Sequence, residues 1–154
     1  MIQRIQTVYL LLAEILIGVL FFVPFADISS QDGTLYFVAL EGLGRIGTTT
    51  FELPDLHWLM MVFLVSNLTL LTRTILLYKN RKLQVKLALV SLGVCLLITG
   101  LIYVTASTGA RHLSGHFSLT IYSVFPLISS ILLGMAVRGI RKDEELIRSI
   151  DRIR

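Results

Sequence analysis

The chain has 154 residues, is 55% hydrophobic and only 16% charged, and has a mean hydropathy of +0.79. A soluble domain is nearer roughly 45–50% apolar and about 25% charged, so the composition argues against a water-soluble globular domain and for an integral membrane protein of one domain, residues 1–154. The single cysteine, Cys95, excludes an internal disulfide and any CxxC redox or zinc pattern, and its place within an apolar run suits a small packing residue.

Four apolar runs are long enough to cross about 30 Å of hydrocarbon, which takes about 20 helical residues. They are Ile5–Phe25, His57–Tyr78, Leu87–Ala106 and Phe117–Val137. Each is predicted to be helical, because lipid cannot satisfy open backbone groups. The first run follows Arg4 as a signal peptide would. It is too long for one, Glu14 interrupts it, and Val23-Pro24-Phe25-Ala26 lacks the small residue a cleavage site needs, so an uncleaved span is expected.

The loop 26–56 that follows is long for an unstructured connection. Leu35–Leu40 and Ile46–Phe51 are rich in β-branched and aromatic residues, punctuated by Gly42, Gly44 and Gly47, and predict a small β-hairpin. A phosphate-cradling reading of the glycines fails, because Thr48-Thr49-Thr50 do not open a helix.

Between the second and third runs lies Lys79-Asn80-Arg81-Lys82-Leu83-Gln84-Val85-Lys86, with four positive charges. A short basic connector of this kind stays on the cytoplasmic side. With that side fixed, twelve of the fourteen basic residues are cytoplasmic, and only Arg45 and Arg111 are outside. Asp27, Asp32, Glu41, Glu52 and Asp55 all fall in the first outer loop, and both termini are inside. The net charge of +4 is then a topology signal and an attraction to anionic lipid headgroups, not a nucleic-acid footprint.

The second outer loop, Ser107–His116, is short and polar. Trp58, Tyr78, Tyr103 and Tyr122 suit an interfacial aromatic belt. The tail 138–154 is too charged to span. Its stripe of Leu146, Ile147, Ile150 and Ile153, with the pairs Glu144–Arg148 and Arg148–Asp151, predicts a cytoplasmic amphipathic helix continuing the fourth span.

The fold class expected is therefore all-α: an antiparallel four-helix transmembrane bundle with a small outer β-hairpin and a C-terminal amphipathic helix. Small residues at helical spacing, Ala88, Ser91, Cys95 and Thr99 in span three and Ser123, Pro126, Ser130 and Gly134 in span four, mark contact faces. Pro126 is expected to kink its span. Counting inward at about 1.5 Å per residue puts Glu14, Asn67, Thr99 and Ser129 near the midplane. That layer reads either as interhelical hydrogen bonding or as an ion or proton site. Glu14 and Arg73 lean toward one another in depth and are expected to pair. In the alternative, Arg73 reaches the inner headgroups while Glu14 bonds Asn67 or Thr99. The candidate polar site is thus Glu14, Asn67, Arg73 and Thr99. His57, His112 and His116 all face outward. They read as interface residues, with a metal site as the rival reading of the four-residue spacing of His112 and His116.

The two ends of the chain carry a resemblance. The opening Met1-Ile2-Gln3-Arg4-Ile5-Gln6-Thr7-Val8-Tyr9-Leu10-Leu11-Leu12 and the ending Ile140-Arg141-Lys142-Asp143-Glu144-Glu145-Leu146-Ile147-Arg148-Ser149-Ile150-Asp151-Arg152-Ile153-Arg154 resemble those of an uncharacterised, domain-of-unknown-function family of short four-span bacterial inner-membrane proteins. The resemblance implies a bacterial cytoplasmic-membrane location and no established activity. Both motifs lie on the cytoplasmic face, which points to an interaction there. Leu12-Ala13-Glu14-Ile15 also looks like the first helix of small multidrug exporters, whose glutamate couples proton and cation. The long outer loop and charged tail depart from that family.

No nucleophile–base pair, haem-type histidine pair or cofactor motif is visible, so no enzyme and no cofactor are expected. The function expected is a non-enzymatic accessory or scaffold protein that binds partners through its cytoplasmic tail and outer hairpin. The alternative is a small ion- or proton-coupled transporter built on Glu14. The expected partners are anionic headgroups, a protein at the cytoplasmic face and, as a further option, a second copy of the chain; nucleic acid is not among them.

Overall fold

A computed structural model describes residues 5–31, 33–45, 51–52, 57–77 and 80–151. The elements in order are α1 (Ile5–Val19), β1 (Ala26–Ser29), β2 (Leu35–Ala39), β3 (Gly42–Arg45), β4 (Phe51–Glu52), α2 (His57–Leu76), α3 (Arg81–His112), β5 (His116–Leu119), a 3-10 turn (Ile121–Val124) and α4 (Phe125–Asp151). The helices pack in a ring, α1 on α2 and α4, and α3 on α2 and α4.

One spacing runs through all four helices. The buried positions are Gln6, Leu10, Ala13 and Ile17 in α1, and Met60, Leu64, Asn67, Leu71 and Thr74 in α2. In α3 they include Gln84, Ala88, Ser91, Cys95, Ile98, Ile102, Thr105 and Gly109. In α4 they include Pro126, Ser129, Leu133, Ala136 and Ile140. Steps alternate between three and four residues, the seam that lets nearly antiparallel helices stay in register over many turns. The outward faces are apolar as well: Ile5 is 63% exposed, Leu97 56% and Ile131 59%. A surface apolar on the outside and partly polar within inverts the pattern of a surface helix in water.

The helix ends differ from the spans read off the sequence. α1 stops at Val19, not Phe25. Its chain tightens through i→i−3 bonds (Leu20 N to Ile17 O, Phe21 N to Gly18 O, Phe22 N to Val19 O) and then meets Pro24, which disfavours helix at Val23. α2 lies within the expected second span, and Tyr78 is outside the described residues. α3 is far longer than Leu87–Ala106, 32 residues or about 48 Å. It absorbs Arg81–Lys86 from the connector and Ser107–His112 from the expected outer loop. Charge stops a span from being apolar but does not stop a helix. Asn80 caps the start, its side chain accepting from Leu83 N.

Gly109 and Ala110 are buried at the other end of α3, with the Ile28 and Leu43 side chains lying against Gly109. α3 closes in a Schellman turn: Gly115 N donates to Ala110 O and Ser114 N to Arg111 O, with Ser114 at φ 49° in the position usually held by glycine.

The start of the expected fourth span is not helical. Phe117 lies in β5, which pairs antiparallel with β1 (Ile28 opposite Phe117, Asp27 opposite Ser118). A short apolar run fits a strand as well as a helix, and here the free edge of β1 decides. Pro126 does not kink a span. It occupies the first turn of α4, where its missing N–H has no intrahelical partner to lose.

The expected two-stranded hairpin is a five-stranded antiparallel sheet, ordered β4-β3-β2-β1-β5. The first predicted strand, Leu35–Leu40, is β2. Its partner is Gly42–Arg45, earlier than the expected Ile46–Phe51, of which residues 46–50 lie outside the described residues. Leu40-Glu41 forms the two-residue turn, closed by Gly42 at φ 126°. Gly44 belongs in a strand because the ring of Phe37, its cross-strand partner, occupies the space a side chain would take. The sheet sits at the end of the bundle where α1 and α3 end and α2 and α4 begin, packed on α3 through β1, whose Ile28 lies against Gly109.

The tail is helical to Asp151, continuous with the fourth apolar run. The predicted stripe of Leu146, Ile147, Ile150 and Ile153 lies outside the described side chains.

Candidate functional site: the polar seam of the bundle

The short α2–α3 connector makes residues equidistant from it lie level on the two helices. Asn67 and Ser91 are such a pair, and so are Thr74 and Gln84. Both pairs are joined. Asn67 is fully buried, its Oδ1 accepting from Ser91 Oγ at 2.7 Å and its Nδ2 donating to Ser91 O at 3.2 Å and toward Cys95 Sγ at 3.4 Å. One amide thus ties both partners in α3, and a buried polar side chain is satisfied as burial requires. Gln84 Nε2 donates to Thr74 O at 3.1 Å, satisfying a carbonyl in the last turn of α2. On the opposite side of the ring, Ser129 Oγ of α4 donates to Ala13 O of α1 at 3.3 Å. Gly139 of α4 lies against the Gln6 side chain of α1.

The four candidate residues do not converge on one centre. Glu14, half-buried, accepts through Oε1 from Thr72 Oγ1 at 2.6 Å, between α1 and α2 and away from the closed interior. Glu14 and Arg73 form no ion pair with each other; Arg73 is exposed, and no hydrogen bond or ion pair holds its side chain among the described residues. The two residues share a depth, since Thr72 adjoins Arg73. They miss because adjacent residues on a helix point about 100° apart. Thr99 turns back on its own helix, donating to Cys95 O at 3.0 Å, so neither Asn67 nor Thr99 bonds Glu14. Sequence reasoning missed Thr72, and it placed Ser91 and Cys95 on the contact face without naming them as partners of Asn67. Equal distance from the connector is the signal that finds Ser91.

The histidines fall on different elements: His57 opens α2, His112 ends α3, and His116 opens β5 beyond the Schellman turn. Their four-residue spacing therefore never lies on a helix face. No group of three or more metal-binding side chains occurs among the described residues.

These features define a class. Three helices are long and apolar enough to cross a membrane, covering His57–Leu76, Arg81–His112 and Ile121–Glu144, and α1 is a shorter apolar helix beside them. The architecture is compatible with a multi-pass membrane protein. More narrowly, the chain belongs to the DUF4293 family, a domain of unknown function, whose family model matches residues 2–153. No curated protein matches it.

Proposed function

We propose that this protein is a non-enzymatic accessory or scaffold protein of the bacterial cytoplasmic membrane, crossing it four times with both termini inside. The sheet stands on the outer surface, and α4 continues past the inner headgroups as a helix that docks a protein partner. The asymmetry of charge supports the orientation. Arg73, Arg81, Lys82, Lys86, Arg138, Arg141 and Lys142 lie toward the end opposite the sheet, and Arg45 and Arg111 lie at the sheet end. Trp58 and Tyr103, both more than half exposed, suit the outer interface.

The observation that carries the scaffold reading is the closed polar seam. Among the described residues, the one buried side-chain polar atom without a hydrogen-bond partner is Arg81 Nη1, at the connector end. A transport path needs polar groups with unmet capacity along a wet interior. Here Asn67, Ser91 and Gln84 spend theirs on neighbouring helices, and Glu14, half-buried, accepts from Thr72 of α2.

Truncation after Lys142 tests this reading. Ile140, the last buried hydrophobic residue among the described side chains of α4, is retained, so the truncated chain is expected to insert and to melt within a few degrees of the full chain in detergent. It is expected to lose any protein that co-purifies with the full chain. A truncated chain that keeps the full set of co-purifying proteins, or that fails to insert, contradicts docking through the tail.

A further inference from the structure

We infer that the exposed face of α2 is a self-complementary interface, and that a second copy of this chain covers it by pairing Glu14 of each copy with Arg73 of the other. The inference rests on the membrane reading above, because it turns on what lipid does to these groups.

Going round α2, Thr72 faces α1, where it bonds Glu14, and Thr74 faces α3, where its carbonyl takes Gln84. Between them Val62, Val65, Ser66, Thr69 and Arg73 are all exposed. This outward crest is the most polar lipid-facing strip of the described helices near the bundle middle, and its central residues, Ser66 and Thr69, are small enough for close approach of a second helix. Small residues alone would fix nothing. The charges do. Glu14 stands on one flank of the crest, and Arg73 lies within it, about 100° round α2 from Thr72 and so on the side away from Glu14. Both are ionisable side chains in or next to the apolar belt, and they do not meet within one copy. Thr72 engages Oε1 of Glu14, which leaves the second carboxylate oxygen able to accept. An intramembrane charge without a partner is expensive.

A two-fold axis along the membrane normal resolves both. Such an axis preserves depth, and Glu14 shares its depth with Thr72 and hence with Arg73. It also brings one flank of a crest against the opposite flank of its partner. The Glu14 flank of each copy then meets the Arg73 flank of the other, twice, in an isologous contact. A parallel coiled coil uses the same relation between its flanking charges.

Oxidative crosslinking in native membranes tests the proposal, with Cys95→Ser as background. Thr69→Cys is expected to give a disulfide-linked dimer, and Val90→Cys, on the exposed face of α3, to give none. Adding Glu14→Arg or Arg73→Glu to Thr69→Cys is expected to lower the dimer yield by about tenfold, and combining both swaps to restore it. Carbonate extraction on the same samples separates the two readings. A chain retained in the membrane whose Thr69→Cys crosslinks no more than Val90→Cys overturns the interface and leaves Arg73 to the headgroups. A chain released by carbonate overturns the membrane reading and the interface with it. A double swap that stays as low as the single ones overturns the reciprocal pairing.

Discussion

Gly115→Ala is expected to destabilise the protein by about 3 kcal/mol, the upper part of the usual range for forcing extra atoms into a packed site. A side-chain carbon built at Gly115 meets the backbone of Ser29 and Ser30, lying 2.9 Å from the Ser29 carbonyl carbon and 3.1 Å from Ser30 Cα. Backbone cannot rotate away as a side chain can. Ser29 is paired with His116, so relief requires β5 to part from β1. The same residue ends the Schellman turn through its bond to Ala110 O, and moving it loosens the last turn of α3. Thermal unfolding in mild detergent reads the effect. Gly134→Ala is the control, because the nearest atom to an added carbon there is Leu92 Cδ1 at 4.0 Å, and no loss is expected.

Asn67→Ala is expected to cost about 2 kcal/mol, combining lost interhelical hydrogen bonds with the void left in a buried seam. Asn67 serves Ser91 twice and Cys95 once, so the variant removes the α2–α3 tie at that level and leaves the Gln84–Thr74 bond. Ser91→Ala should cost less, since Asn67 Nδ2 keeps the Ser91 carbonyl. The double variant should fall short of the sum, because both changes remove the same 2.7 Å bond. Additive losses would show that the two residues act independently and that the tie contributes little.

The sequence made the helices legible and left their ends obscure. Apolar runs locate α2 and the middles of α1, α3 and α4, because hydrocarbon demands about twenty apolar residues in a row. The ends follow other rules. Arg81–Lys86 is too charged to span yet helical behind its Asn80 cap, and Ser107–His112 stays helical because the sheet covers Gly109 and Ala110. Phe117 reads as part of a span and is a strand, since pairing with Ile28 is a long-range event that no local pattern announces. Gly44 reads as turn punctuation and sits mid-strand under Phe37. The polar layer read from the sequence was legible neither in depth nor in rotation: Glu14 lies level with Thr72, five residues along α2 from Asn67, and Thr99 stands eight residues along α3 from Ser91. Asn67 and Ser91 lie level from the connector outward, but only the structure says which way each helix is turned. That rotation gives Glu14 to Thr72.

The claim at the centre is a bundle with its sheet outside and its basic end within the cell. Cysteine labelling of intact cells with a membrane-impermeant maleimide tests it most directly, again on a Cys95→Ser background. Leu35→Cys in β2 and Ser118→Cys in β5 are both exposed and are expected to label in intact cells. Lys82→Cys at the start of α3 and Lys142→Cys on α4 are exposed as well and are expected to label only after the membrane is opened. Labelling of Lys82→Cys or Lys142→Cys in intact cells, or protection of both sheet positions, would contradict the account.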